Sequence, residues 1–385
     1  MRRTQLDVLG NIPHSSGNHG KLAVTLSNAE NRHPYTTLQM RYFILFLISA
    51  LPLGSLHAQT PSPRLQTFLR QQLQFSEQDI DDARKGRAVA RILPSEKQEV
   101  AVFGIVLVHA PADFFVDRFR DIESYKKGTS ILQVKKFSNP PRMEDLRQLT
   151  IDKDDLRALR NCKVGDCGVK LPSNVILRVQ KEIDWSSPDA EQKVTELGRT
   201  ALLQYVERYL AGGNKQLSEY SDKKQPLRVA EQFDAILKAS PYIFDYDPEF
   251  YEYLSDYPKK KLDGVEDFLY WSKEKFGLKP VISVTHVSIY RKPELNVTLI
   301  ASKQIYANHY FEASLGLTVA LAPGQGPSPS FYLLYFNRSR SDALHGGFSG
   351  LARGQVKSRA RNGALENLVK IQRSIEAQFA ARPTN

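Results

Sequence analysis

Past residue 58 the chain has no apolar run approaching the ~20 residues that a helix needs to cross a bilayer. The main body is therefore expected to be soluble. Cysteine is nearly absent, two in 385 residues. That excludes a disulfide-dense scaffold, and a structural metal site would need further ligands that nothing near Cys162 and Cys167 offers. Only four histidines follow residue 58: His109, His286, His309 and His345. In "HYFE", His309 and Glu312 stand at an odd offset, which on a strand sends them to opposite faces and makes a poor metal pair. No G-x-S-x-G elbow, phosphate-cradling glycine loop or H-E-x-x-H helix occurs. The sequence announces no enzyme by motif, calls for no cofactor and predicts no metal site. Chemistry built from scattered residues leaves no local spacing, so a hydrolase or cyclase stays open as an alternative.

What is present begins oddly. "MRYFILFLISALPLGSLHAQ", Met40–Gln59, has the basic start, apolar centre and small-residue end of a secretory signal. Residues 1–39 before it are polar, with no sustained apolar period. We read Met40 as the true first residue, residues 1–39 as untranslated or disordered, and 40–58 as a signal cut after Ala58. A membrane anchor fits less well, because about a dozen apolar residues interrupted by Pro52 fall short of a bilayer. Export to the periplasm or the outside places "NCKVGDCGVKLP" in an oxidising compartment, where Cys162 and Cys167 would pair. The C-x4-C spacing is not that of a redox C-x-x-C pair. The formal charge of +11 suits an anionic partner such as a phospholipid surface, and export makes nucleic acid the least favoured partner.

Residues 59–99 read as a leader and N-terminal helices, with Ser76 and Asp79 as a cap. "EVAVFGIVLVHA" is a short β-branched run, expected as a strand buried on both faces. "PADFFVDRFRDIESYKKG" starts a helix at Pro111, and "ILQVKKF" is a strand. About 138–279 reads as mainly helical, with Ser187 as an N-cap and seven aromatics between Tyr242 and Tyr257. Those rings either pack this segment onto a sheet, the favoured reading, or wall an apolar ligand. The last third holds four strands, "PVISVTHVSIYR", "NVTLIASKQIYA", "HYFEASLGLTVALA" and "SFYLLYFNRS", joined by short turns and so antiparallel. A helix from Gly347 to about Phe379 closes the chain, small at Ala360, Gly363 and Ala364 on its buried side. Its basic residues Arg353, Lys357, Arg359, Arg361 and Lys370 face solvent or an anionic membrane surface.

This order, resting on "FGIVLVHAPADFFVDRFRDIESYKKG…ILQVKKF" and the closing helix, resembles the START-like superfamily. That helix-grip group includes lipid-transfer domains and polyketide cyclase-like proteins. The resemblance covers roughly 100–137 and 280–379. It implies an α+β domain over 100–385, with a curled antiparallel sheet around the long C-terminal helix and a mainly helical insertion at 138–279. It further implies a cavity for a lipid or other hydrophobic small molecule. Candidate lining residues are Phe119, Tyr125, Tyr290, Tyr306, His309 and Tyr335, although strand alternation would turn half of such a set outward. A catalytic relative and a structural envelope module are the alternatives. Expressed from Met40 in an exporting bacterial host, the protein should begin at Gln59 when its N-terminus is sequenced. Retention of residues 40–58 would count against a cleaved signal.

Overall fold

A computed structural model describes residues 62–277, 279–323, 329–344 and 349–382, all within the unit Leu56–Asn385. The signal-like stretch and the expected cleavage point after Ala58 lie outside the described residues, as do His345 and Phe348. Two short helices, α1 (Pro63–Gln71) and α2 (Glu77–Arg84), precede strands β1 (Val89–Leu93) and β2 (Glu99–Val108). Ser76 caps α2 through Asp79 as the spacing predicts. Then come α3 (Ala112–Arg120), α4 (Ile122–Tyr125) and β3 (Ile131–Lys136). A largely helical stretch follows: α5 (Lys153–Arg160), α6 (Ser173–Glu182), α7 (Ala190–Gly212), the short pair β4 (Glu219–Tyr220) and β5 (Leu227–Arg228), α8 (Val229–Lys238), α9 (Pro241–Tyr246) and α10 (Pro248–Ser255). Five long strands complete the sheet: β6 (Val265–Phe276), β7 (Lys279–Lys292), β8 (Val297–Ala307), β9 (Phe311–Leu321) and β10 (Phe331–Ser341). The last element is α11 (Ser349–Ala380).

The sheet is antiparallel throughout, in the order β1-β2-β10-β9-β8-β7-β6-β3. The meander expected of the last four strands is present, but it starts one strand earlier. β6 lies inside the segment read as helical. Its centre, "FLYW", shows no alternation because both faces are covered, and flanking charges dilute the apolar run. β1 likewise sits in the stretch read as leader and helices, and α7 starts at Ala190 behind Asp189 rather than behind Ser187.

Every residue of β2 is buried, as expected for a strand covered twice. On one face, here called outer, Ala101, Phe103, Ile105 and Leu107 meet α1, α2 and α8–α10. There Tyr242 stacks on Phe336 at 4.6 Å and Phe250 on Tyr290 at 5.7 Å, so the aromatic-rich segment packs onto the sheet. α7 covers the outer face further along, around Trp271, Val284 and Ile305. On the inner face, Val106 and Val108 meet α3 and α11 through Phe115, Leu368 and Ile375. The clip expected in the helical stretch is present as a Cys162–Cys167 disulfide. It closes a tight turn in which Lys163 and Asp166 exchange backbone hydrogen bonds and Gly165 takes φ +85.

The inner face is set by a close approach. A β-carbon on Gly104 would lie 2.5 Å from Leu368 Cδ1, so α11 rests directly on the backbone of β2. Leu368 is fully buried there, a contribution of about 1.5–3 kcal/mol. Gly104→Ala should cost about 1–3 kcal/mol in urea unfolding through overpacking, and Leu368→Ala in the same chain should recover part of the loss. An unchanged midpoint would show that α11 can ride higher on the sheet.

Candidate functional site

Because α11 docks mainly on β1 and β2 and α3 packs farther along the same face, part of the inner face between them is left to line a cavity. A cleft of about 1210 Å³ opens between that face and the helix. On the helix side its walls are Val356, Ala360, Ala364, Ile371 and Ile375. Nothing lies within 4 Å of where a side chain on Gly363 would begin.

The floor follows from period-two alternation in β9 and β10. In "FEASLGLTVAL", Ala313, Leu315 and Leu317 pack outward against the helices, which turns Ser314, Gly316 and Thr318 inward. In "FYLLYFNRSRS", Arg338 and Arg340 pair outward with the fully buried Glu99, which turns Asn337, Ser339 and Ser341 inward. Pairing aligns Ser339, Ser314, Gln304 and Thr285 as successive partners across β10, β9, β8 and β7. One rung of the sheet is thus a row of hydroxyl and amide groups.

These groups are partly closed on themselves. Ser314 Oγ and Ser339 Oγ lie 2.8 Å apart, Ser339 donates to Asn337 Oδ1 at 2.8 Å, and Asn337 Nδ2 donates to Ser314 Oγ at 3.3 Å. On the other side, Ser272 and Ser283 hydroxyls lie 3.3 Å apart, and Ser272 donates to Glu274 at 2.6 Å. Glu274 in turn holds the Lys126 ammonium at 2.9 Å. Between the two groups, Gln304 Oε1 is enclosed and has no hydrogen-bond partner.

Burial works against both charges of the Lys126–Glu274 pair and is outweighed on each side. Tyr270, Glu274 and Tyr335 leave Lys126 raised, while Lys126 and Ser272 leave the Glu274 carboxyl lowered. Both groups are therefore charged at neutral pH. Burial also pushes the Tyr335 phenol up to about 12 and raises Tyr125. Arg118, Lys127, Arg359 and Lys370 stand on the rim in solvent.

Of the six expected lining residues, Tyr125 and Tyr335 border this cleft. Phe119 stands behind it, its ring 4.8 Å from that of Tyr125 in the core under α3. Tyr290 points to the outer face against Phe250. Tyr306 borders a second, smaller and mostly apolar pocket of about 100 Å³ beside α5–α7. His309 lies in the β8–β9 turn rather than on a strand, with Nε2 2.9 Å from both carboxylate oxygens of Asp155. Strand parity accounts for Tyr290, and the bulge near Tyr306 shifts the register there. Lys126, Glu274, Gln304, Ser314, Asn337 and Ser339 are cleft residues that the sequence reading missed. The one signal for them was small polar residues alternating with leucine or arginine.

A relay-like set occupies the outer face. Tyr209 Oη lies 2.8 Å from His286 Nδ1, and His286 Nε2 lies 2.9 Å from Asp267 Oδ1. Burial lowers the His286 pKa against the pull of Asp267. This set borders neither cavity and ties α7 to β6 and β7. Among the described residues, no three metal-ligating side chains converge, and no helix is long and apolar enough to cross a membrane.

No family model and no curated protein matches the chain. Among solved structures, the crystal structure of the Zhui aromatase/cyclase from Streptomyces sp. R1128 is similar at TM-score 0.24 and 14% identity, over 40% of this chain and 91% of that one.

The Glu274 carboxyl lies below its ordinary value of 4.5 when folded. Its contribution to stability is thus complete above 4.5 and lost as pH falls through the lower folded value. Unfolding midpoints of the wild type and Glu274→Gln should therefore differ at neutral pH and converge in acid. A gap independent of pH would mean that the ion pair does not stabilise the fold.

Proposed function

We propose that the chain is an exported protein that binds a lipid or other largely apolar small molecule in the cleft between the sheet and α11, in a START-like, helix-grip arrangement. The observation that carries this reading is the cleft itself. Its volume of about 1210 Å³ is at or above the range usual for small-molecule sites; aliphatic residues of α11 interleave with polar ones on one wall, and the floor carries convergent polar groups among apolar ones. Residues of β2, β6–β10 and the start of β3 border one cleft together with α11 and the ends of α3 and α4. That so many strands border one cleft supports a sheet curled toward α11. The Cys162–Cys167 disulfide and the signal-like Met40–Gln59 stretch support export.

A catalytic relative is the second reading. It is disfavoured because Lys126 is raised and Glu274 lowered, which leaves neither poised to exchange a proton near neutral pH. A purely structural envelope module fits poorly with an inner face left open. Peripheral contact with an anionic membrane would use the solvent-facing basic residues of α11. Two of those are engaged locally: Arg361 Nε donates to Ala90 O at 3.1 Å and Lys370 Nζ to Lys127 O at 3.0 Å.

Gly363 provides a plug that leaves the fold alone, since its side faces open space. Gly363→Trp should weaken binding of the neutral dye N-phenyl-1-naphthylamine by at least about tenfold. Its thermal midpoint should not fall, because glycine inside a helix costs about 1 kcal/mol relative to better formers. Undiminished dye binding would place the ligand elsewhere.

A further inference from the structure

A cleft meant only for hydrocarbon has no use for hydroxyl and amide groups on its floor, since covering each of them with apolar matter costs free energy. Here a whole rung of the sheet carries such groups, and α11 does not descend onto it. We propose that the cleft selects a ligand whose buried end is an uncharged, hydroxyl-bearing ring such as a sugar, with any apolar portion lying along α11. The inference rests on reading the cleft as a binding site and specifies what that site recognises.

Hydrogen-bond accounting comes first. Ser314, Ser339 and Asn337 satisfy one another, but Gln304 Oε1 beside them is enclosed and unpaired. Protein atoms close that acceptor off where it stands, and because Gln304 lines the cleft, a turn of its amide would bring it to a ligand donor. A hydroxyl both donates and accepts, so a ring bearing several can answer Gln304 Oε1 and the spare lone pairs of the serines together.

Charge comes second. The floor's two charges, Lys126 and Glu274, neutralise each other at 2.9 Å. A buried carboxylate or ammonium on the ligand would meet one of them attractively and the other repulsively, and would lose its own hydration. The basic residues that could favour an anion stand on the rim, where solvent and salt screen them. Shape comes third. Tyr335 lies two residues from Asn337 on the same face of β10, which sets an aromatic ring beside the amide for the apolar face of a sugar.

The test is displacement of bound N-phenyl-1-naphthylamine from the exported chain by compounds that share an octyl chain. These are octyl glucoside, octanoate and octyltrimethylammonium, all below their aggregation thresholds, with free glucose as a fourth competitor. Octyl glucoside should displace the dye at least about tenfold more effectively than either ion. Gln304→Leu and the milder Ser339→Ala should each erase most of that preference, read within each variant as the ratio of octyl glucoside to octanoate displacement, with a cooperative unfolding transition showing that the variant is folded. Displacement by glucose as well would assign the site to a sugar alone. Activity of octyl glucoside without glucose would assign it to a glycosylated amphiphile. Equal or stronger displacement by octanoate or by the ammonium, or a preference that survives both substitutions, would overturn the proposal and leave the cleft a plain lipid site. Failure of the dye and every competitor to bind would remove the binding reading and this inference with it.

Discussion

The contact of Leu368 with the bare backbone of Gly104 governs the inner side of the molecule. A side chain at residue 104 would meet Leu368 and lift α11 off β2. Toward the start of the helix, Ala364 still packs against Ala90 and Val102, whereas Gly363 faces open space. The helix is thus anchored near one edge of the sheet and stands over, rather than on, the strands beyond. The cleft is the volume this geometry leaves. The small residues of α11 invite a reading as the site of close packing, yet the glycine that permits the approach is on the strand.

Two faces of one sheet obey different rules here. The outer face is completed by protein: α1, α2 and α7–α10 bury its aromatic and aliphatic side chains, and its buried charges Glu99, Arg338 and Arg340 pair with one another. Glu99 is fully buried between Arg338 and Arg340 at 2.8 Å each. Breaking such an arrangement by removing one partner typically costs about 3–5 kcal/mol. The inner face is most apolar where α3 and α11 cover it. Elsewhere it carries serine, asparagine and glutamine, and those groups are satisfied mostly by one another.

Much of this architecture is legible in the chain. β2 reads as doubly buried because nine consecutive apolar or glycine residues leave no polar face, and α11 reads as long because its apolar positions recur over nearly thirty residues. β6 is hidden because a doubly covered strand with charged ends resembles a mixed helix. The site was less legible, for a reason specific to strands. A residue's face depends on register, and register depends on partners far away in sequence. Tyr335 and Tyr290 look equivalent in their segments, yet one borders the cleft and the other stacks on Phe250. Lys126 and Glu274 lie in separate parts of the chain and meet only because β3 and β6 pair.

That same alternation links the two faces mechanically. Gln304 stands between Lys303 and Ile305, and both neighbours are held from outside. Lys303 bonds to Asn214 and lies 4.2 Å over the Phe233 ring, while Tyr205 donates to the Ile305 carbonyl at 2.6 Å. Arg338, clamped by Glu99, stands between Asn337 and Ser339. The positions that form the cleft floor are therefore interleaved with positions locked into the outer layer. A binding surface gains when the elements bearing it cannot shift, because less order has to be imposed when the ligand arrives. The helical stretch between β3 and β6 adds no side chain to the cleft itself. Its part is to stiffen the strands from behind, which also accounts for buried charges on the outer face where hydrocarbon would have sufficed. Burial drives Lys303 down to about 7, against the influence of Asp234. A cation held at that disadvantage one residue from Gln304 makes sense as a pin for the strand that carries it.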